Sequence, residues 1–444
     1  MEWGNKKLIN GWIVFDWANS VYPLVINSTL FPIYFSAVAV HSGTDKLIYF
    51  GKEWENTFLL TLVLSVAYLF IAFLNPLLAG LSDYCRNKLS FMKAFSWIGV
   101  IGCFTMFFFT KENIGLGFLG SFLACVGYNG SIVFYNAFLP EIAAPEDQDK
   151  ISARGFAAGY IGGALFLIAS LIAMANPFGA SFLPHSGEEK LDFLRWCFIG
   201  IGIWWALFAR ITFYRLKSDE PTRKPEKGWV KAGLDELRIV FKETKSFPGL
   251  RTYMLAYLIF GLAVQTMMLI AAYFAISEID FPEESKDTYI IMTVLIIQFV
   301  GVAGSLIFSK ISSKRGNVRA LIFGIVIYTI VCVWSYFVHG MYAFFVIAGL
   351  VGLGMGGIQS LARSTFSKLL PETEDHASYF SFFDFIEKIS IVLGLVIYGG
   401  LEQLTGSPRI SVLSLSFLFA IAVIILLQIR NHSKLLPYKD NEEV

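Results

Sequence analysis

Charge is the scarcest commodity in this chain. Asp, Glu, Lys and Arg together make up 16% of its 444 residues, where a soluble protein carries roughly a quarter. That is too little to clothe a water-facing surface, which excludes a soluble globular domain. The net charge of +1 leaves no footprint for nucleic acid. Histidine is limited to five residues, none clustered, and no H-E-x-x-H occurs. The five cysteines (Cys85, Cys103, Cys125, Cys197 and Cys332) sit singly in or beside apolar blocks. None has the spacing of a metal knuckle or a redox pair, so they are expected to be packing residues. No G-x-x-x-x-G-K-[ST] loop is present, which argues against ATP hydrolysis. No nucleophile and base lie at matched depth, so neither an enzyme nor a cofactor is expected. Strict apolar–polar alternation is also missing, which excludes barrel strands.

What fills the space is apolar: 56% hydrophobic and 16% aromatic residues, with a mean hydropathy of +0.61. A run of about 20 apolar residues crosses the hydrocarbon core as a helix. Twelve runs are found, at 11–40, 56–81, 91–109, 114–138, 151–175, 192–213, 250–277, 287–311, 317–338, 341–368, 378–401 and 408–430. Lys6 and Lys7 precede the first run like a signal peptide, but Asp16, Asn19 and the lack of a small-residue cleavage site predict a retained helix.

Loop charge supplies an independent check on the count. With the N-terminus cytoplasmic, alternate loops collect about 26 of the 35 Lys and Arg, as the positive-inside rule requires. The loop from Glu278 to Asp287 is almost purely acidic, while the next carries Lys310, Lys314, Arg315 and Arg319. Both termini are therefore expected inside. The longest connection, Tyr214 to Phe247, is basic and broken by Pro221 and Pro225. Within it Trp229, Leu234, Leu237 and Val240 are interleaved with Lys231, Arg238 and Lys242, as in a helix lying on the bilayer surface. The plan is an N-terminal six-helix bundle at 1–213, a basic linker at 214–249 and a C-terminal bundle at 250–444. A short repeat agrees with it. Leu-Pro-Glu closes the fourth run at 139–141 and the tenth at 370–372, with Pro140 and Pro371 231 positions apart. Parallel six-helix halves are a known transporter construction.

Function has to be sought in the polar residues inside the runs, since each is costly to place there. Near the middle lie Asn27, Tyr68, Asn129, Gln265 and Gln298, all neutral; they are candidate substrate contacts, with helix–helix hydrogen bonding as the alternative. Shallower, toward the basic loops, lie Asp16, Asn19, Asp83, Arg154, Arg363, Asp384, Glu387 and Lys388. Grouped at one end, these point to gating or coupling. Arg363 is placed at a depth where it reaches Asp384 or Glu387, although Asp384 and Lys388 at i, i+4 also pair along one helix. Gly155, Gly159 and Gly163, and Gly352, Gly354, Gly356 and Gly357, are read as close helix packing.

Several segments resemble the vacuole amino-acid effluxer family of the major facilitator superfamily and its bacterial relatives. They are Asp16-Trp17-Ala18-Asn19-Ser20-Val21-Tyr22 with Phe31-Pro32-Ile33-Tyr34-Phe35; Tyr135-Asn136-Ala137-Phe138-Leu139-Pro140-Glu141; Ser152-Ala153-Arg154-Gly155; and Gly356-Gly357-Ile358-Gln359-Ser360-Leu361-Ala362-Arg363-Ser364. Ala79-Gly80-Leu81-Ser82-Asp83 through Lys88 is similar to the superfamily's loop between helices two and three. There Ala79 replaces a Gly, Arg86 falls where Gly is expected, and the second-half equivalent has Ser313 in place of Asp. Leu262 stands where the family often carries an acid. The resemblance implies an all-α membrane protein of twelve helices in two six-helix bundles with the major facilitator fold. It implies a secondary transporter of small solutes, amino acids first, with a coupling proton or cation. Eukaryotic members work at the vacuole, but nothing in the sequence shows a eukaryotic origin, and a bacterial inner membrane is the expected location. Export of another small polar or amphipathic solute, or a non-transporting receptor or scaffold, stays open at this point.

Overall fold

A computed structural model describes residues 3–39, 46–49, 52–175, 179, 183–184, 187–216, 228–282 and 286–431. It is almost entirely helical. In chain order come α1 (Lys6–Asn19), a π-helical segment (Tyr22–Leu30), α2 (Phe31–Ala39), strands β1 (Lys46–Tyr49) and β2 (Lys52–Glu55), α3 (Asn56–Cys85), α4 (Lys88–Met106), α5 (Ile114–Ala137) and α6 (Leu139–Ile142). Then follow α7 (Pro145–Ala175), α8 (Gly187–Arg215), α9 (Trp229–Thr244), α10 (Pro248–Glu278), α11 (Lys286–Arg315), α12 (Asn317–Phe337), α13 (Met341–Leu369), α14 (His376–Thr405) and α15 (Pro408–Asn431). Among the described residues ten spans are long and apolar enough to cross a membrane: α3, α4, α5 with α6, α7, α8, α10, α11, α12, α13 and α15. The first and eleventh of the twelve expected runs are outside that set. The first is broken into three pieces, and α14 carries Asp384, Glu387 and Lys388.

The break in the first run has a local cause. Pro23 has no N–H to give the helical ladder, and the chain answers with a wider, i→i+5 turn. The hydroxyls of Ser28 and Thr29 donate to the carbonyls of Pro23 and Leu24, each five residues back, at 2.9 Å. Also unforeseen is the antiparallel β1–β2 pair ahead of α3. Of the segments singled out in the sequence, 217–227 of the linker, 283–285 of the acidic loop and everything beyond 431 lie outside the described residues.

The chain divides into two compact units, one of Lys6–Asn136 with Ala158–Gly233, the other of Met1–Asn5, Ala137–Ala157 and Leu234–Val444. In the first, α4 and α5 meet backbone to backbone. A Cβ on Gly102 would lie 2.3 Å from the nitrogen of Ala124, and one on Gly127 2.1 Å from that of Gly99. On α7 a Cβ on Gly159 would lie 2.4 Å from the Ser20 hydroxyl and one on Gly163 2.9 Å from the Leu24 side chain. Thr212 of α8 donates to the Gly11 carbonyl of α1 at 2.7 Å. In the second unit α11 and α13 repeat the device: Gly304 faces the Leu353 carbonyl, Gly352 that of Ile297 and Gly356 that of Gly301, with Cβ distances of 2.3, 2.5 and 2.0 Å. Lipid offers no hydrophobic drive for helices to associate, so such close approach supplies the packing energy.

The glycine reading is directly testable. Gly356→Ala forces the two backbones apart and is expected to destabilise by about 2–3 kcal/mol. Gly349→Ala on the same helix, with nothing within 4 Å of its Cβ, is expected to be neutral or mildly stabilising. Thermal unfolding in detergent separates the two; equal midpoints would mean that the crossing tolerates a methyl group.

Each unit also carries an arginine that caps the end of a neighbouring helix. Arg195, near the start of α8, donates from Nε to the Phe107 carbonyl just past α4 at 2.8 Å, with its guanidinium 4.8 Å from the Phe107 ring. Arg409, in the first turn of α15, donates to the carbonyls of Ser335, Tyr336 and Val338 at the end of α12 and of Glu278 at the end of α10. Its Nε also holds the Glu278 carboxylate at 2.6 Å. The last carbonyls of a helix have no intrahelical donors, and a cation there also suits the helix dipole.

Candidate functional site

The signature stretch of the first helix is an anchor as much as a site. Asp16 is buried, and Tyr135 of α5 donates its hydroxyl to Oδ2 of Asp16 at 2.7 Å. Trp12 donates from Nε1 to the Tyr135 carbonyl at 2.8 Å and stacks on its ring at 4.4 Å. Two motifs separated by more than a hundred residues thus lock α1 to α5. Asn19 is wholly buried, and neither of its side-chain polar atoms is hydrogen-bonded among the described residues. An amide left so costs about 1–3 kcal/mol, which any state that supplies a partner regains.

Of the five neutral residues, Asn27 on the π-helical segment donates to the Tyr68 hydroxyl of α3 at 3.5 Å. Asn129 is buried and turned back on its own helix, donating to the Cys125 carbonyl at 2.8 Å, while Asn75 of α3 donates to the Asn129 carbonyl at 3.4 Å. Packing therefore accounts for the Asn129 amide. Gln265 of α10 and Gln298 of α11 are half-buried and make no side-chain hydrogen bond within the described residues. In a span such amides keep their hydrogen-bonding capacity for water or a solute. A separate small pocket of ≈ 30 Å³ lies among α10, α11, α12, α13 and α15, lined mainly by apolar side chains such as Met267, Phe274, Ile297, Phe344 and Val351, with Thr293 and Ser335. None of the five neutral residues lines it.

The charged residues fall into three groups. In the last turn of α3, Asp83 is buried, and Lys88 at the start of α4 stands 4.0 Å from its Oδ1. Arg86 adopts φ +55°, the left-handed conformation in which glycine is expected and which strains an L-residue by about 1–2 kcal/mol. On α14, Lys388 pairs with Asp384 at 3.1 Å and with Glu387 at 3.6 Å. Tyr257 of α10 donates to Oε2 of Glu387 at 3.0 Å and stacks on Phe383 at 4.1 Å. The intrahelical pairing of Asp384 with Lys388 is thus present. Arg154 is exposed.

The third group was largely missed in the sequence. The segment 137–157 packs with α11, α12 and α13 in one compact unit. Asp149, 3% exposed, lies among donors from all three. Ser312 donates to its Oδ2 at 2.8 Å, Asn317 to its Oδ1 at 2.7 Å, and Lys368 stands 2.7 Å from Oδ2. Asn317 also donates to Thr365 and accepts from Lys368. Arg363 is buried beside this cluster. Its Nε donates to the Ser152 hydroxyl at 3.0 Å, its Nη2 to the Ser152 carbonyl at 2.9 Å, and its guanidinium covers the Phe156 ring at 4.2 Å. Ser152 in turn donates to the Ser360 carbonyl at 2.8 Å. Glu141 of the Leu-Pro-Glu motif meets His376 at 3.2 Å. In the second-half loop, where Ser313 stands in the position of an acid, the carboxylate is supplied from outside the loop by Asp149. The acidic run Glu146, Asp147, Asp149 was the available signal, but it reads as an ordinary solvated helix start.

Comparison with known proteins identifies the family and the fold. The profile of the family described as "Vacuole effluxer Atg22 like" matches residues 4–435. The uncharacterized MFS-type transporter YxiO of Bacillus subtilis is 30% identical over 95% of this chain and 94% of its own. Autophagy-related protein 22 of Kluyveromyces lactis is 21% identical over 94% of this chain and 92% of its own. Among solved structures, the E. coli fucose:proton symporter FucP superposes with a TM-score of 0.67 at 15% identity, covering 95% of this chain and 97% of FucP. The human organic anion transporter MFSD10 gives 0.68 at 12% identity, over 95% of this chain and 98% of its own. At those identities the structures establish the fold alone. The chain belongs to the vacuole effluxer Atg22-like family and is a multi-pass membrane transporter of the major facilitator type.

Proposed function

We propose that this transporter moves small zwitterionic or neutral polar solutes, amino acids first among them, by alternating access between its two six-helix halves, 1–213 and 250–444, joined by the linker 214–249. The observation that carries the substrate class is the pair of half-buried, unbonded amides Gln265 and Gln298, with Asn27 and Tyr68 as a second neutral pair. A fixed charge in a low-dielectric span demands a countercharge, whereas amides and phenols satisfy the ammonium and carboxylate of a zwitterion without one. The family's description as effluxers supports outward movement from the compartment the protein drains. The basic loops support cytoplasmic termini and a bacterial inner membrane, with YxiO as a bacterial relative.

Counterflow in proteoliposomes with labelled neutral, acidic and basic amino acids tests the reading. Neutral ones are expected to exchange fastest. Gln265→Leu is expected to raise the half-saturation concentration about tenfold, the loss of one or two hydrogen bonds, with the folded yield unchanged. Unaltered affinity in Asn27→Leu, Gln265→Leu and Gln298→Leu alike would assign these residues to helix packing.

Coupling is proposed at Glu387, whose carboxylate takes the Tyr257 hydroxyl and faces Lys388. Glu387→Gln is expected to cut accumulation driven by a pH gradient at least tenfold, an estimate in line with loss of a proton-relay group, while counterflow persists. Full gradient-driven accumulation in that variant would remove Glu387 from the coupling path.

A further inference from the structure

We propose that α9 is a binding site for anionic phospholipid headgroups in the leaflet next to the basic loops. Set on a helical wheel of 3.6 residues per turn, α9 shows three distinct faces. Val230, Leu234 and Phe241 share one side and are 60%, 44% and 56% exposed, with Leu237 beside them. Lys231, Arg238 and Lys242, continued by Lys245 just past the helix end, flank that side along one edge. Ala232, Gly233 and Val240 form the buried side. The acids Asp235, Glu236 and Glu243 lie away from the apolar face, beyond the basic edge and toward the buried side. Ile239 is the one exposed apolar residue off the pattern.

Depth identifies what covers the apolar face. Gly233 sits on the backbone of α3, where a Cβ on Gly80 would lie 2.5 Å from the Gly233 carbonyl. Gly80 is five residues from the end of the span Leu62–Cys85, about 7.5 Å at the helical rise. At its other end Phe241 packs 6.1 Å from Phe382, and Glu243 accepts from Tyr379 in the first turn of α14. An amphipathic helix held within about 5–10 Å of the end of a membrane span lies at the boundary of headgroups and acyl chains. Its free apolar face there meets lipid, and its basic edge stands level with the phosphates. The long stems of such side chains run over apolar surface with the charge held toward the headgroups, as Lys245 already does, with its ammonium 5.2 Å from the Phe241 ring. The Arg238–Asp235 contact at 3.6 Å, 80% and 50% exposed, is too solvated to hold the guanidinium back.

Full-length protein in phosphatidylcholine liposomes doped with spin-labelled phosphatidylglycerol or spin-labelled phosphatidylcholine tests the proposal. At low salt the motionally restricted fraction is expected to be about threefold larger for the anionic lipid. It is expected to fall toward parity at 1 M salt, where screening acts within about 3 Å. The variant K231Q/R238Q/K242Q/K245Q is expected to lose at least half of the preference; an unchanged preference would overturn the proposal. Because all four side chains lie at the surface, misfolding is not anticipated. A second readout covers the apolar face, with a nitroxide at Leu234→Cys. Collision with oxygen dissolved in the bilayer is expected to exceed collision with an aqueous nickel chelate. The reverse order, or protection from both reagents that ends when the protein is diluted to one copy per liposome, would place water or a second copy on that face and overturn the proposal.

Discussion

Asp149→Ala is expected to open the end of the transporter that carries the Asp149 cluster. The buried carboxylate takes three donors, and removing it leaves the Lys368 ammonium and the Ser312 hydroxyl facing a void. Truncating one member of a buried, hydrogen-bonded charge pair costs roughly 2–5 kcal/mol. On the alternating access proposed above, the cluster forms only while this end is closed, so only that state would suffer the loss. The equilibrium is therefore expected to move toward the open state by about 30-fold or more. Ala153, fully buried beside Ser152, is a suitable reporter. Ala153→Cys is expected to resist a membrane-impermeant maleimide in the parent and to react in the Asp149→Ala background. The swap Asp149→Lys with Lys368→Asp is expected to restore part of the protection. A cysteine at 153 that stays protected with Asp149 gone would mean that the cluster holds nothing shut.

At the opposite end Arg409→Leu is expected to damage stability itself. One guanidinium serves the Glu278 carboxylate and four carbonyls at the ends of α10 and α12. Its removal strands a partly buried carboxylate, a loss of about 3–5 kcal/mol. The apparent midpoint of thermal unfolding is expected to drop by at least about 5 °C. Arg409→Lys keeps the charge but not the planar fork, so it is expected to fall between the two. Loss of the charge with no change in midpoint would show that water replaces the guanidinium without penalty.

Much of the architecture was legible because membrane spans are written locally. A run of apolar residues, a basic loop and a Pro-bounded end each need only a short window. The Asp16 and Tyr135 motifs could also be picked out, although nothing in the sequence tells that one hydroxyl bonds the other carboxylate. What stayed hidden depends on azimuth. Counting residues along α13 and α14 gives a position along each helix axis for Arg363 and Asp384, but not which way a side chain faces. Arg363 reaches Ser152, and Asp384 reaches Lys388. Asp149 and Lys368 are 219 positions apart, so no local pattern joins them. The π-helical turn at Pro23 and the β1–β2 pair were missed for another reason. The first sits in an apolar run whose composition continues smoothly through it, and the second lies in a short polar connection between two runs, where only the runs were read.

The glycine contacts between α11 and α13 bear on how the Asp149 cluster lets go. Where a Cβ would lie 2.0–2.5 Å from a facing carbonyl, the helices have no layer of side chains on which to slide. A one-residue shift would drive a methyl or larger group into the opposite backbone, so α11 and α13 travel as one body. Ser312 lies on the first and Lys368 on the second, and both hold Asp149. Their bonds therefore break together or not at all. Partial release would sacrifice some of the bonds without gaining the hydration of a full opening, so intermediates are expected to be sparsely populated. Rigid backbone contact thereby turns a handful of ordinary polar bonds into a cooperative, all-or-none release.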